Sequence, residues 1–106
     1  RPFVLSRSNI LGGQRYAAMW TGDNEATYEQ MKLSVPMSIT LGLSGQPFNG
    51  PVIGGFAGNT IADLWGHWLG FGAFFPFSRG HASCDTNNKE PFGHLLRIYR
   101  ESHVLH

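Results

Sequence analysis

The sequence predicts an α/β fold that forms half of a (β/α)8 barrel, and three observations support this prediction. Short apolar runs alternate with segments of helical periodicity, which is the order of parallel strands and their connecting helices. The apolar runs bring Arg7, Asp23, Val52 and His81 to successive strand ends. The chain has 106 residues, whereas a whole barrel takes about 250 residues. We therefore expect four strands, about half of the barrel.

The first two strands precede the first helix. Residues 2–5 are a short apolar run that delivers Arg7 to its carboxyl end, and Gly12-Gly13 then indicates a loop. Residues 16–20 are the second run, which ends in the motif Trp20-Thr21-Gly22-Asp23-Asn24. This motif places a carboxylate between a strand and a helix, where an α/β-barrel enzyme carries catalytic groups.

The first helix is predicted directly after this motif. Asn24 can cap it, and Glu25 is favourable in the first turn. Pro36 should kink or split the helix, and the glycines of residues 42–45 should end it. The residues of its apolar face fall at helical spacing: Tyr28, Met31, Val35 and Ile39.

The rest of the chain repeats the same order of elements. Residues 51–53 form a third strand before Gly54-Gly55-Phe56, and residues 73–77 form a fourth strand before His81. Thr60 and Asp63 resemble a capping box for the helix between these strands. The apolar face of this second helix comprises Ile61, Leu64, Trp65, Trp68 and Leu69. After Pro91 we predict a helical tail whose apolar face contains Leu95, Leu96, Tyr99 and His103.

The composition indicates a segment of a larger protein. Charged residues make up 14% of the chain, below the usual quarter, and aromatic residues make up 13%. So little charge is typical of surfaces that other parts of a protein cover. The chain also begins at Arg1, without an initiator Met or a leader sequence. We therefore expect the sequence to be incomplete.

The charge and the apolar runs argue against two classes of partner. The formal net charge of +1 gives no strong attraction to nucleic acid or to an anionic membrane. No apolar run approaches the length of a membrane span. The single cysteine, Cys84, excludes an internal disulfide. One thiol fits several compartments, so the localisation stays open, as does the oligomeric state.

Each candidate site residue has a structural alternative. Asp23 can cap the helix that follows it, and the residues alone favour this role over catalysis. For Arg7, a surface salt bridge and a ligand-binding role are about equally favoured. For His81, a structural role and a functional role are also about equally favoured. Most aromatic residues belong to the core, but Trp20 directly precedes the acid. A tryptophan beside a carboxylate is a common way to build a sugar subsite.

Three other kinds of site are disfavoured. The glycines of residues 54–58 do not match the phosphate-binding pattern G-x-G-x-x-G, and no GK[ST] follows them. No G-x-S-x-G motif of serine hydrolases occurs. No zinc template fits the spacing of the possible ligands, so no metal is expected at His67, His81, Cys84 and Asp85.

Taken together, the motifs resemble glycoside hydrolase family 31, the α-glucosidase family. The resemblance covers about residues 1–92, with the motifs in the family's order and spacing. So many linked motifs make it specific. The matching segments are Arg7-Ser8, Gln14-Arg15-Tyr16, Trp20-Thr21-Gly22-Asp23-Asn24, Leu41-Gly42-Leu43-Ser44-Gly45, Ile53-Gly54-Gly55-Phe56, Phe75-Pro76-Phe77-Ser78-Arg79-Gly80-His81 and Glu90-Pro91.

The resemblance implies that residues 1–106 are a partial catalytic domain, the C-terminal half (about strands 5–8) of the family's (β/α)8 TIM barrel. It implies a retaining α-glucosidase that acts on α-glucosides or oligosaccharides and requires no cofactor. Asp23 matches the family's general acid/base. Arg7 and His81 match residues that hydrogen-bond the sugar, and Trp20 and Phe56 match residues that line its pocket.

Two departures from the family bear on activity. The family's nucleophile is an aspartate on the preceding strand, in a motif resembling Trp-x-Asp-Met-Asn-Glu, and this chain has no such motif. The family also reads Asp-Ile-Gly-Gly-Phe where this chain has Val52-Ile53-Gly54-Gly55-Phe56, and valine cannot bond a sugar hydroxyl. We therefore expect the chain to be inactive alone. A sugar-binding or degenerate pseudoenzyme of the same family is the alternative, and a structural module without sugar contact is a third.

Overall fold

Short strands alternate with helices in a computed structural model that describes residues 2–83. The alternation confirms the predicted α/β class. The predicted tail after Pro91 lies outside the described residues, as do Cys84 and Asp85. In chain order the elements are β1 (Leu5–Ser6), a 3-10 turn (Gly13–Arg15), β2 (Ala18–Trp20), α1 (Tyr28–Leu43), β3 (Asn49–Gly50), β4 (Val52–Ile53), α2 (Ala62–Gly72) and β5 (Arg79–Gly80).

All strand pairs among the described residues are parallel. β2 lies between β1 and β3, with Leu5 opposite Ala18 and Met19 opposite Asn49. β4 pairs with β5. Only Pro51 separates β3 from β4, and this buried residue has no N–H to donate to a ladder. One extended segment therefore changes partner at the proline, from β2 on one side to β5 on the other.

The fourth strand begins later than the sequence predicts. We expected a strand over residues 73–77, but the strand is Arg79–Gly80, and residues 73–77 form turns. α2 ends at Gly72, so the residues that follow are needed to return the chain to the sheet. Phe77 N–H donates to the carbonyl of Asn49 at 3.1 Å, which fixes the return beside β3.

The N-cap of α1 lies three residues beyond the predicted cap. The capping residue is Thr27, whose side chain accepts a hydrogen bond from the Gln30 N–H at 3.2 Å. The prediction that Asn24 caps this helix is therefore wrong. Pro36 does not split α1, which runs without interruption from Tyr28 to Leu43. A proline removes one backbone donor, and here the turns on both sides persist.

α2 supplies most of the core, and its N-terminus differs from the predicted capping box. Its N-cap is Ile61, which makes no side-chain cap, and the Asp63 carboxylate instead accepts a hydrogen bond from the Tyr28 hydroxyl. The predicted apolar face is largely confirmed, although Ile61 is exposed. The core cluster unites both helices with β4 and comprises Met31, Ile53, Leu64, Trp65 and Trp68.

Across the described part of the chain, neither helix is both long and apolar enough to cross a membrane.

Candidate active site

The predicted site residues follow the carboxyl ends of the parallel strands. Arg7 comes directly after β1, Asp23 comes shortly after β2, and His81 comes directly after β5. Phe56 lies in the loop that follows β4. Because parallel strands end at the same edge of a sheet, these loops form one rim, as the sequence predicts.

Arg7 and Asp23 form an ion pair across the first two rim loops. The Arg7 Nη1 atom lies 3.5 Å from Asp23 Oδ2, and the side chains are 60% and 39% exposed. Gly22 allows this approach, because its φ is +93° and a Cβ there would lie 3.2 Å from Arg7 Nε. The Asp23 carboxylate does not cap α1, since Thr27 does so. The structural role that the sequence favoured for Asp23 is therefore wrong.

Phe56 and His81 form a second pair. Their ring centroids lie 5.2 Å apart with an interplanar angle of 32°. The Ser83 N–H donates to the Phe56 carbonyl at 3.0 Å, which holds the loop after β5 against the loop after β4. The pair combines an apolar ring face with imidazole nitrogens, a combination that suits a sugar.

Trp20 contacts Arg79, which the sequence analysis names only as part of the segment that ends at His81. The guanidinium carbon of Arg79 lies 5.0 Å from the centroid of the Trp20 ring, which is cation–π geometry. Both Trp20 Nε1 and Arg79 Nε are buried and find no hydrogen-bond partner among residues 2–83. The sequence signal for Arg79 is its position as a basic residue two places before His81.

The sequence predicts that Val52 lies at the rim, but the structure does not place it there. It is 0% exposed and lies within β4, where its register partner is Arg79. A valine offers no acceptor to this guanidinium. Arg79 Nε is thus buried without a hydrogen-bond partner among residues 2–83, and the residue in register with Arg79 is apolar.

Asn24 has a structural role that the helix-cap prediction missed. Its side-chain amide donates to the Val52 carbonyl at 2.9 Å, and its Oδ1 accepts from the Phe56 N–H at 3.0 Å. The residue is 9% exposed. Its bonds join the Asp23 loop to the Phe56 loop, so the Arg7–Asp23 pair and the Phe56–His81 pair belong to one connected rim.

A groove of about 450 Å³ touches two of the site residues but does not coincide with the rim. It lies between β2 and α1. Arg7 and Trp20 line it together with Leu33 and Met37, whereas Asp23, Phe56 and His81 do not. We therefore assign the site by the side chains on the rim rather than by this groove.

The rim carries a carboxylate, a guanidinium and an imidazole, which are groups for proton transfer and for hydrogen bonding to hydroxyls. Residues 2–83 contain no group of three or more His, Cys, Asp or Glu side chains that could hold a metal ion. These groups are therefore of the types that can exchange protons with a polar organic molecule and hydrogen-bond to it.

Comparison with known sequences and structures identifies the family of the chain. The family model described as the glycosyl hydrolases family 31 TIM-barrel domain matches residues 1–102. The chain is 55% identical over 92 residues to a probable glucan 1,3-alpha-glucosidase of Oryza sativa subsp. japonica. That match covers 87% of this chain and 10% of the relative.

Two solved structures are similar to the described fold. The Family 31 alpha-glucosidase from Bacteroides thetaiotaomicron is 65% identical, with a TM-score of 0.80, over 92% of this chain and 17% of that one. The glucosidase II alpha subunit, in an alpha3-Glc2-bound form, is 48% identical, with a TM-score of 0.82, over 87% of this chain and 10% of that one. The chain thus spans about a tenth of the length of the curated relatives it matches.

Proposed function

Because the chain belongs to glycoside hydrolase family 31, we propose that it is the C-terminal half, about strands 5–8, of the catalytic barrel of a retaining α-glucosidase. Two features support a partial barrel. Among residues 2–83, the strands form a three-stranded sheet, β1-β2-β3, and a two-stranded sheet, β4-β5, so that β1 and β5 each have one side without a partner strand. Large apolar side chains are also exposed, among them Leu11 at 81% and Phe74 at 88%. Closing the barrel removes both edges and covers such surfaces.

Asp23 is the proposed general acid/base, and its place on the rim is the observation that carries the proposal. A retaining glycosidase needs two carboxyl groups about 5–5.5 Å apart. In this proposal the second carboxyl group, the nucleophile, comes from a part of the protein outside this chain. Asp23 gives its proton to the glycosidic oxygen as the bond breaks, and later takes a proton from the water that attacks the glycosyl-enzyme.

The other rim residues bind the sugar in this proposal. Arg7 and His81 offer directional hydrogen bonds to hydroxyls, and Trp20 and Phe56 offer apolar ring faces. The substrate is an α-glucoside or an α-linked oligosaccharide. This choice is supported by the relative named as a glucan 1,3-alpha-glucosidase and by the sugar in the glucosidase II alpha subunit structure. The reaction needs no metal or organic cofactor, since proton transfer and displacement complete it.

The experiment that tests this function is Asp23→Asn in the full-length protein that carries the chain. We expect hydrolysis of a disaccharide to fall by about 10²–10⁴-fold. Added sodium azide should then react with the glycosyl-enzyme and yield α-glucosyl azide, because the lost carboxylate no longer repels the anion. The matched control is Glu25→Gln, which removes an exposed carboxylate two positions away. Full activity of Asp23→Asn, or a β-configured azide product, would contradict the assignment.

A sugar-binding or degenerate pseudoenzyme is the second candidate, and the surroundings of Val52 favour it. Val52 is in register with Arg79, whose Nε atom is buried and has no hydrogen-bond partner among residues 2–83. We expect Val52→Asp in the full-length protein to supply the acceptor, with a gain of about 10-fold or more in activity if an active enzyme carries the valine. No gain, together with a gene that lacks the nucleophile motif upstream, would favour the pseudoenzyme.

A further inference from the structure

We propose that Asn24 is a positioning residue, which fixes the loop of Asp23 against the loop of Phe56 so that the proton donor faces the sugar pocket. This inference rests on the proposed function, because it assigns a role in the same reaction. Asn24 itself touches neither the substrate nor the reacting atoms. It acts through Asp23, its neighbour in sequence.

The contacts of Asn24 cross from one rim loop to the next. The Nδ2 atom donates to the Val52 carbonyl at 2.9 Å, and Oδ1 accepts from the Phe56 N–H at 3.0 Å. The backbone carbonyl of Asn24 accepts further bonds from the N–H groups of Phe56 and Ala57, at 2.8 and 2.9 Å. The Phe56 carbonyl in turn accepts from the Ser83 N–H, which connects the Phe56 loop to the loop after β5.

The backbone around these contacts is built for close approach. Gly55 has a φ of +89°, and a Cβ there would lie 2.4 Å from the backbone nitrogen of Ala26. Glu25 and Ala57 form a parallel bridge beside it. The backbones of the two loops are therefore in direct contact, and the side-chain amide of Asn24 adds two hydrogen bonds between them.

An asparagine supplies both a donor and an acceptor at this position. An aspartate would keep the acceptor for the Phe56 N–H but would turn a carboxylate oxygen toward the Val52 carbonyl. A serine is too short to reach both partners. The backbone bonds of Asn24 survive either substitution, so the loops should still fold together while the side-chain constraint on the Asp23 loop is lost.

The loss should appear in acid catalysis more than in sugar binding. A displaced proton donor slows substrates whose leaving group must be protonated, such as a disaccharide. It matters much less for α-glucosyl fluoride, whose leaving group departs with little help from an acid. This dependence on the leaving group separates a positioning role from a general loss of stability, which would reduce both reactions equally.

The test compares Asn24→Ser with the unchanged full-length protein on these two substrates. We expect kcat/KM to fall by about 10–100-fold for the disaccharide and by less than about threefold for the fluoride. Asn49→Ser is the matched control, because Asn49 is 1% exposed and its amide also makes two hydrogen bonds, to the Ser38 and Gln46 carbonyls. This control should lower stability without changing the ratio of the two rates.

A third variant separates the inference from the function on which it rests. If Asp23→Asn shows the same leaving-group pattern but Asn24→Ser behaves like Asn49→Ser, Asn24 is merely structural and the inference is overturned. If Asp23→Asn itself shows no leaving-group dependence, the proposed acid role of Asp23 fails. If both rim variants share the pattern and the Asn49 variant does not, the positioning role is supported.

Discussion

The two ends of the parallel strands, the carboxyl ends and the amino ends, are held together by different interactions; we call them the carboxyl edge and the amino edge. At the carboxyl edge, the loops carrying Asp23, Phe56 and His81 are joined by hydrogen bonds through Asn24 and Ser83. At the amino edge, three phenylalanines that precede β1, β3 and β5 pack on one another, with centroids 6.1–6.3 Å apart: Phe3, Phe48 and Phe77. Aromatic packing stabilises without directing chemistry, whereas a hydrogen-bonded rim fixes polar groups at set positions. We therefore expect changes at the amino edge to affect stability and changes at the rim to affect activity.

The largest expected effect comes from breaking the close contact of the rim loops with Gly55→Ala. The new Cβ would lie 2.4–2.7 Å from the backbone of Glu25 and Ala26, at a φ of +89°. We expect the full-length protein to lose about 2–5 kcal/mol of stability and about 100-fold in activity.

Gly42→Ala is the control for that substitution. Gly42 lies in α1, and no heavy atom is within 4 Å of the position that a Cβ would take there. A gain in stability of up to about 1 kcal/mol is expected for this variant. Equal melting temperatures for the two alanine variants would show that the rim loops do not need their close contact.

A pair of phenylalanine substitutions compares the two edges directly. Phe77→Ala removes a ring that contacts both Phe3 and Phe48, so we expect a loss of about 2–4 kcal/mol in stability with little change in KM. Phe56→Ala removes the ring that we propose contacts the sugar, so we expect KM for an α-glucoside to rise by about tenfold with a smaller change in melting temperature. Thermal melts and steady-state kinetics on both variants would test this, and a reversed pattern would show that the edges are wrongly assigned.

Arg7→Lys should separate charge from geometry at the rim. The ion pair of Arg7 with Asp23 is exposed on both sides, so its contribution to stability should be below about 1 kcal/mol. A lysine keeps the charge but loses the planar fork of donors, and KM should rise by about 3–10-fold. Substitution of Arg15 by lysine, in the turn before β2, is the control. An unchanged KM in Arg7→Lys would remove Arg7 from the sugar site.

The sequence predicted those features whose cause is local. Helical spacing placed Met31, Leu64, Trp65 and Trp68 on apolar faces, and all four are in the core. The face predicted for α1 is wrong at Ile39, which is 58% exposed. The rim was also predictable, because polar residues after apolar runs mark the carboxyl ends of parallel strands. The position of the last strand was not predictable, because residues 73–77 have the composition of a strand. In the structure they connect the end of α2 to β5.

The role of Asn24 could not be predicted from local rules. Its partners Val52 and Phe56 lie 28 and 32 residues away in the sequence. An asparagine before a helix is usually a cap, and only the fold shows that Thr27 caps α1 while Asn24 crosses to another loop. The pairing of Val52 with Arg79 has the same origin, because strand register depends on the whole sheet.

The smallest expected effect lies outside both edges, where Tyr28 of α1 bonds Asp63 of α2. The hydrogen bond to the Asp63 carboxylate, with desolvation and the carboxylate charge, raises the pKa of Tyr28 above its ordinary value of 10.0. A pKa that is higher in the folded state stabilises the fold below the unfolded value and loses that effect as the pH rises through the folded one. The difference in unfolding free energy between the unchanged protein and Tyr28→Phe should therefore be constant from neutral pH to about pH 10 and shrink above it. His67 also contacts Asp63 but is present in both proteins, so it largely cancels in the comparison. A difference that stays constant through alkaline pH would show that this bond does not link the helices in solution.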